Sequence, residues 1–162
     1  MELMKASKNA IDIIKSFEGL KLKAYKPLPS EKYYTIGWGH YGADVKMGMT
    51  ITQAQAETLL KSDIVPVERV LNGMGINYTQ NQFDALTSWI FNLGEGNFKK
   101  STMYKYIVSK KDDVAITDQM IKWHNAGGKP LLGLKKRRVE EANMFLGKNK
   151  YYVDTLGNIK KR

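Results

Sequence analysis

Glu18 stands in the run Ser16-Phe17-Glu18-Gly19, where an apolar stretch ends on a glycine. A carboxyl group partly enclosed by apolar neighbours has its pKa raised, stays protonated near neutrality and can give a proton to a leaving group. An acidic residue at a helix end can equally be a solvated surface group, and the local pattern leaves both readings open. His40 closes the run Thr35-Ile36-Gly37-Trp38-Gly39-His40 and has the side chain of a base, although a histidine held in a polar network fits as well. Asp44, in Gly42-Ala43-Asp44-Val45, reads as a turn residue. The chain has no cysteine, which excludes disulfides, thiolate metal sites and cysteine nucleophiles together. Two histidines, His40 and His124, are too few for a histidine-rich metal cluster. No cofactor and no metal is implied.

These residues need elements to position them. Ala10, Ile11, Ile13, Ile14 and Phe17 recur at helical spacing after Ser7, so the pattern predicts a helix over 7–17 with Ser7 as N-cap and Gly19 as stop. From Leu20 to Tyr25 lysines alternate with apolar residues, Pro27, Pro29 and Ser30 mark a turn, and Tyr33-Tyr34-Thr35-Ile36 has strand character. A small antiparallel sheet follows from this. Thr52-Gln53-Ala54-Gln55 and Thr79-Gln80-Asn81-Gln82 are capping boxes, the second with Tyr78 and Phe83 placed as a hydrophobic staple. The first opens a helix to about Val65, with Pro66 as a kink or a new start. The second opens a helix whose stripe Phe83, Leu86, Ile90 and Leu93 is core, and which Gly94 and Gly96 end. Shorter helices are expected over 102–109 and 114–123, the latter capped by Asp113. A last helix should carry Pro130 in its first turn and stop at Gly147. Residues 1–147 then form a single α+β domain, and 148–162 a peripheral basic tail that can fold as a small hairpin.

The composition is that of a soluble globular domain, with 43% hydrophobic and 26% charged residues in 162. The net charge of +10 attracts polyanions, nucleic acid or an anionic bacterial wall alike. No nucleic-acid reading module or aromatic-interleaved groove is present, and the glycine-rich stretches lack a phosphate-loop Lys-Ser/Thr ending. The first residues, Met1 to Lys8, hold no continuous apolar stretch, so neither a signal peptide nor a transmembrane span is expected.

Three segments decide the family reading. Phe17-Glu18-Gly19, Leu22-Lys23-Ala24-Tyr25 and Thr35-Ile36-Gly37-Trp38-Gly39-His40 resemble the signature of the phage-type lysozymes, glycoside hydrolase family 24. Gln82 to Leu86, Phe91 to Gly94, Trp123 to Gly128, Gly133-Leu134 and Arg137 to Glu140 are similar to later family segments in the same order, so the likeness runs over about 7–147. It implies a lysozyme-like fold, with a small antiparallel sheet lobe, a mainly helical lobe and a cleft between them. It implies hydrolysis of the β-1,4 bond between N-acetylmuramic acid and N-acetylglucosamine in peptidoglycan. Glu18 takes the place of the proton donor and Thr35 that of the active-site threonine. The implied protein is a monomer made in the host cytoplasm. It is released to the wall late in a phage cycle, without stable membrane insertion or nucleic-acid binding.

One departure bears on the chemistry. The family's second acid, usually Asp nine residues after the Glu, is Pro27 here, and counting back six from Thr35 gives Pro29. Hydrolysis by the usual route uses two carboxyl groups. The only acidic residue between Glu18 and Thr35 is Glu31, so Glu31 is the candidate for the second role, with Asp44 a weaker one. The missing Asp keeps two other readings in play, a lytic transglycosylase that needs one acid, and a wall-binding module of the same fold without catalysis. Among substrate-binding candidates, Trp38 and Tyr34 stack on sugar rings or pack in the lobe. Asn92 bonds a sugar amide or caps its helix, and His40 borders the cleft as a structural group. Lys135, Lys136, Arg137 and Arg138 read as a solvated basic face with one arginine bridged to Glu141.

Overall fold

The computed structural model describes residues 2–162, so only Met1 of the first stretch lies outside it. The first helix, α1 (Lys8–Glu18), starts where expected, and the Ser7 side chain accepts from Asn9 N. Ser7 is also bound through its backbone N–H and its hydroxyl to the buried carboxylate of Asp84, which fixes the start of α1 against a later helix. Gly19, at φ 69°, ends α1 by closing its backbone N–H on Lys15 O. The chain turns there into β1 (Lys21–Tyr25), β2 (Tyr34–Gly37) and β3 (His40–Gly42), a three-stranded antiparallel sheet in that order. Thr35 lies opposite both Tyr25 and Tyr41 in the register, so three residues from three strands share one level of the sheet.

Helix α2 (Gln53–Asn72) begins with its capping box formed in both directions and continues unbroken past Pro66, where the sequence suggested a kink or a new turn. The proline removes one helical hydrogen bond, to the carbonyl of Ser62. Both residues are exposed, so water can satisfy that carbonyl and the helix continues. At 1.5 Å per residue, the 20 residues of α2 span about 30 Å, enough to join two lobes. Its first half packs Ala56, Leu60 and Ile64 against Ile14 and Trp38, and its second half puts Val67 and Leu71 into the helical core. A third small cluster, Ala24, Ile36 and Val45, holds the sheet lobe together.

The helical lobe is built around α3 (Gln80–Leu93), whose residues Phe83 to Ile90 are all buried. The Thr79 capping box forms, and Tyr78 packs edge-on to Phe83 with ring centroids 6.2 Å apart. Gly94 ends α3 as expected. Gly96, however, sits inside a further short helix, α4 (Glu95–Lys100), that the glycine pair had masked. The positive φ of Gly94 redirects the chain, and Phe98 then packs edge-on against Trp89. Helices α5 (Thr102–Val108) and α6 (Asp113–Met120) follow, α6 capped by Asp112 rather than Asp113. Gly127-Gly128 form the two-residue turn of a short hairpin, β4 (Asn125–Ala126) with β5 (Lys129–Pro130), both glycines at positive φ. Pro130 therefore belongs to a strand, and α7 (Leu132–Leu146) begins after it. The hairpin β6 (Tyr151–Val153) with β7 (Ile159–Lys161) is seated on the helical lobe, contrary to the peripheral placement expected for these residues. Tyr151 is buried in the main core, and Asn143 of α7 pairs with its backbone N–H and carbonyl at 2.9 and 3.0 Å. The architecture is α+β, a small antiparallel sheet lobe and a helical lobe joined by α2, the arrangement the resemblance implies. Among the described residues no helix is long and apolar enough to cross a membrane.

Candidate active site

Helix α1 delivers Glu18 at its last residue, and the glycine stop leaves the side chain facing the space between the lobes. Its carboxylate is four-fifths buried. Arg137 Nη1 donates to Glu18 Oε1 at 2.9 Å. The other oxygen, Oε2, lies against Gly39, where an added Cβ would come within 2.7 Å. Gly39 also has φ +79°, in the left-handed region that side chains avoid. The group gripping the carboxylate is thus a guanidinium, although the apolar Phe17 ring lies beneath it, 5.7 Å from Arg137 Cζ.

Arg137 is itself held by a buried polar network on α7 and α3. Its Nε donates to Glu141 Oε2 at 3.2 Å, and its Nη2 donates to the Ser88 carbonyl at 3.2 Å. Ser88 Oγ donates to Glu141 Oε2 at 2.5 Å. Arg138 Nε sits 2.7 Å from Glu141 Oε1, within ion-pair distance but poorly aligned for a hydrogen bond. Arg138 Nη2 donates to Asn92 Oδ1 at 2.7 Å. Two arginines and a glutamate in a buried cluster are stable only when mutually paired, and the pairing fixes Arg137 before substrate arrives. The basic run expected on a solvated face is therefore half interior. Arg137 and Arg138 are buried and both reach Glu141, because Arg138 and Glu141 occupy apolar-stripe positions between Leu134 and Phe145.

Two cavities meet at Glu18. One, of about 380 Å³, is lined by Glu18, Tyr25, Pro27, Glu31, Thr35, Gly39 and Tyr41. The other, of about 440 Å³, runs between α2 and α3 past Asp63, Pro66, Phe91, Asn92 and Glu95, again with Glu18, Gly39 and Tyr41. The structure thus brings Glu18, Glu31 and Thr35 to one cavity. Glu31 is carried there by a turn in which its N–H donates to the Leu28 carbonyl at 3.1 Å. Asn92 lines the second cavity while its amide oxygen is taken by Arg138. Trp38 is not brought to the site. At 7% exposure it packs with Ile14, Ala56, Leu60 and Ile64, with Lys15 Nζ 4.3 Å from its ring, because the Gly37–Gly39 turn folds it down onto the helices. Tyr34 is packed on the sheet lobe beneath the Lys26 ammonium.

His40 lines neither cavity. Its Nδ1 lies 2.8 Å from Asp63 Oδ2 and its Nε2 2.8 Å from Asp44 Oδ2. With a carboxylate facing each ring nitrogen, both nitrogens are placed to donate, an arrangement that favours the charged ring. Burial acts to lower the His40 pKa, but the hydrogen bonds and charges of Asp44 and Asp63 outweigh it and leave it raised. The His40 bond holds the Asp44 carboxyl below its ordinary range, and burial holds that of Asp63 above it. Asp44 is spent on this ring. Sequence reasoning missed Arg137, Gly39, Tyr41 and Asp63. The signal for Arg137 was the charge in the α7 stripe, and for Gly39 its place in the Gly-Trp-Gly turn.

The phage lysozyme family model matches residues 15–141. The chain belongs to the phage lysozyme family. An endolysin of Bacillus phage PZA is 44% identical over 143 residues, which cover 88% of this chain and 55% of the relative. The endolysin of Salmonella phage P22 is 39% identical over 149 residues, covering 89% and 99%. The chain spans about half the length of the Bacillus phage relatives it matches. Among solved structures, a mutant of P22 lysozyme superimposes with a TM-score of 0.76 at 38% identity, covering 88% of this chain and 99% of that one. The muramidase domain of SpmX from Asticaccaulis excentricus superimposes with a TM-score of 0.79 at 33% identity, covering 88% and 97%. The acidic side chains that line the first cavity are Glu18 and Glu31.

Proposed function

We propose that this chain is a peptidoglycan hydrolase that cuts the β-1,4 bond between N-acetylmuramic acid and N-acetylglucosamine. The observation that carries the reading is the placement of Glu18 at the junction of two cavities, one oxygen held by Arg137 and the other facing Gly39 and the open cleft. Glu18 gives its proton to the glycosidic oxygen as the bond from that oxygen to the anomeric carbon breaks. A water in the cavity shared with Thr35 gives its hydroxyl to the anomeric carbon and its proton to Glu31. Thr35, nine-tenths buried and opposite Tyr25 and Tyr41, offers a fixed hydroxyl to hold that water. Asn92, presented into the second cavity by Arg138, is oriented to meet a substrate amide with its NH₂ group. The printed names of the relatives, endolysin and muramidase domain, point the same way. The site of action is then the bacterial wall, and the working unit a monomer.

Mass spectrometry of purified peptidoglycan digested by wild type, Glu18→Gln and Glu31→Gln tests the reading. Ordinary reducing ends from wild type, absent with Glu18→Gln, are expected. Glu31→Gln should slow turnover by about 10²–10⁴-fold, the usual size of a general-base contribution, and an unimpaired Glu31→Gln enzyme removes Glu31 from the mechanism. Anhydro-muramic ends would mean a lytic transglycosylase instead. Wall binding without cleavage would mean a non-catalytic module.

A further inference from the structure

Pro66 lines the cleft, and nothing in the cleavage chemistry uses it. Of the four prolines, Pro27 and Pro29 lie in the turn between β1 and β2 and Pro130 lies in β5, whereas Pro66 stands well inside α2. A helix interior is where proline is least favourable, because it brings no N–H and its ring crowds the carbonyl one turn back. That carbonyl belongs to Ser62. A helical carbonyl points along the axis at the residue four further on, so Ser62 O is aimed at Pro66, and the ring tilts it away from the axis. Pro66 borders the cavity of about 440 Å³ between α2 and α3 that reaches Glu18. Helix α2 thus carries, at the rim of the candidate cleft, a mid-helix carbonyl without its helical partner.

The other groups of this cavity indicate what such a carbonyl takes. Its carboxylates are already engaged, Glu18 by Arg137, Asp63 by His40 and Glu95 by Lys99. Asn92, on the α3 wall, has its oxygen taken by Arg138 and so presents its NH₂ group. Val67 and Val70 on one side and Ile90 and Phe91 on the other make the remaining wall apolar. A trans secondary amide carries one N–H and one C=O that point in opposite directions. It can therefore meet the Asn92 donor on one helix and the Ser62 acceptor on the other. An ammonium offers nothing to the Asn92 NH₂, and a carboxylate offers nothing to Ser62 O. The exposed Ser62 carbonyl is met by water in the free protein, and a substrate N–H that displaces this water reproduces its hydrogen bond.

We propose that the Ser62 carbonyl, freed by Pro66, accepts the N–H of a substrate amide in the second cavity, which makes Pro66 a specificity-determining residue of α2. The amide belongs to a sugar acetamido group or to the peptide stem, and the test separates the two. The proposal rests on the peptidoglycan reading for the source of that amide. Pro66→Ala and Pro66→Val both restore the N–H and return Ser62 O to the helix, while only valine keeps the apolar bulk of the ring. Affinity for soluble glycan strands is measured by calorimetry in the Glu18→Gln background, on stem-bearing strands and on strands whose stems an amidase has removed. KM and kcat are followed through reducing ends released by the active enzyme. Both variants should melt no lower than wild type, since each takes a proline out of a helix interior. Both should weaken binding by about threefold to tenfold, the share of one hydrogen bond. The effect should fall on KM rather than kcat, because the bond is made in the ground state and the transition state alike. A loss seen on both kinds of strand assigns the N–H to the acetamido group, and a loss confined to stem-bearing strands assigns it to the stem. Unchanged affinity in both variants overturns the proposal. So does a loss in Pro66→Ala that Pro66→Val does not share, since it traces the effect to the ring. Strands that bind in a Pro66-dependent way but are not cleaved by wild type would sink the hydrolase reading and leave this one standing.

Discussion

Gly39 and Glu18 illustrate how little room the cleft leaves for substitution. Glu18 Oε1 is tied to Arg137, so the carboxylate cannot swing aside freely when something presses on Oε2. A methyl at Gly39 would press there, at 2.7 Å, on a backbone already at φ +79°. Gly39→Ala should lose about 1–2 kcal/mol of stability from the left-handed backbone, and in addition displace the acid. Gly75 makes the control, since it has φ +67° with nothing within 4 Å of an added Cβ. Gly75→Ala should show a similar loss in thermal melting but keep its turnover per folded molecule, whereas Gly39→Ala should lose both. Equal turnover for the two variants would mean that Gly39 is a backbone device only. The contact is also why Gly39 was invisible as a site residue beforehand. A glycine in a Gly-Trp-Gly run announces a turn, not what lies across from it.

Elements were legible where their signals are local. Ser7, Thr52 and Thr79 capped the helices they were expected to cap, because each hydroxyl accepts a backbone N–H two or three residues on, and at Thr52 and Thr79 a glutamine three residues later returns the bond. Pro66, Gly96 and Pro130 misled, because a breaker costs only what its surroundings fail to restore. Pro66 sits on an exposed flank of α2, Gly96 rides on the packing of Phe98, and Pro130 ends a strand. Glu18 and Thr35 could be picked out by their motif, whereas Arg137 could not, because its burial depends on Glu141, Ser88 and Glu18 converging from three helices. The β6–β7 hairpin makes the same point. Its seat is the paired amide of Asn143, which mimics a neighbouring strand for Tyr151. Asn143→Ala would leave the backbone groups of a buried residue without partners, each worth about 1–3 kcal/mol. It should release the hairpin, raising amide exchange at Tyr151 to Val153 while α3 keeps its protection. Unchanged exchange there would show that the Tyr151 ring, with its hydroxyl 2.7 Å from Asp118 and from Thr117, is sufficient anchor.

At the scale of the molecule, the two lobes are tied together beside the cleft by a charge cluster that titrates. His40 comes from β3 in the sheet lobe, Asp63 from α2, and Asp44 from the loop after β3, with Lys46 acting on Asp44 from the same loop. Burial alone would discharge the ring, but the two carboxylates prevail and raise the His40 pKa above 6.5. A raised histidine pKa means that the folded state holds the proton more tightly than the unfolded chain. Its contribution to stability is therefore complete below about pH 6.5 and is lost as pH rises through the folded value. The Asp44 carboxyl, lowered by its bond to His40, contributes above its ordinary 3.8 and loses that contribution as pH falls through its depressed value. Asp63 acts in the opposite sense to Asp44, since burial raises its pKa and the fold then favours its protonated form as pH falls. The melting temperature should accordingly decline as pH rises above about 6.5 in wild type, and the decline should be shallower in His40→Gln, which keeps hydrogen bonding to one carboxylate but carries no proton to lose. The same variant should melt below wild type at pH 6, where the missing charge leaves Asp63 half-buried without its cation. Parallel pH profiles for the two proteins would place the titration elsewhere and reduce His40 to a neutral spacer between the lobes.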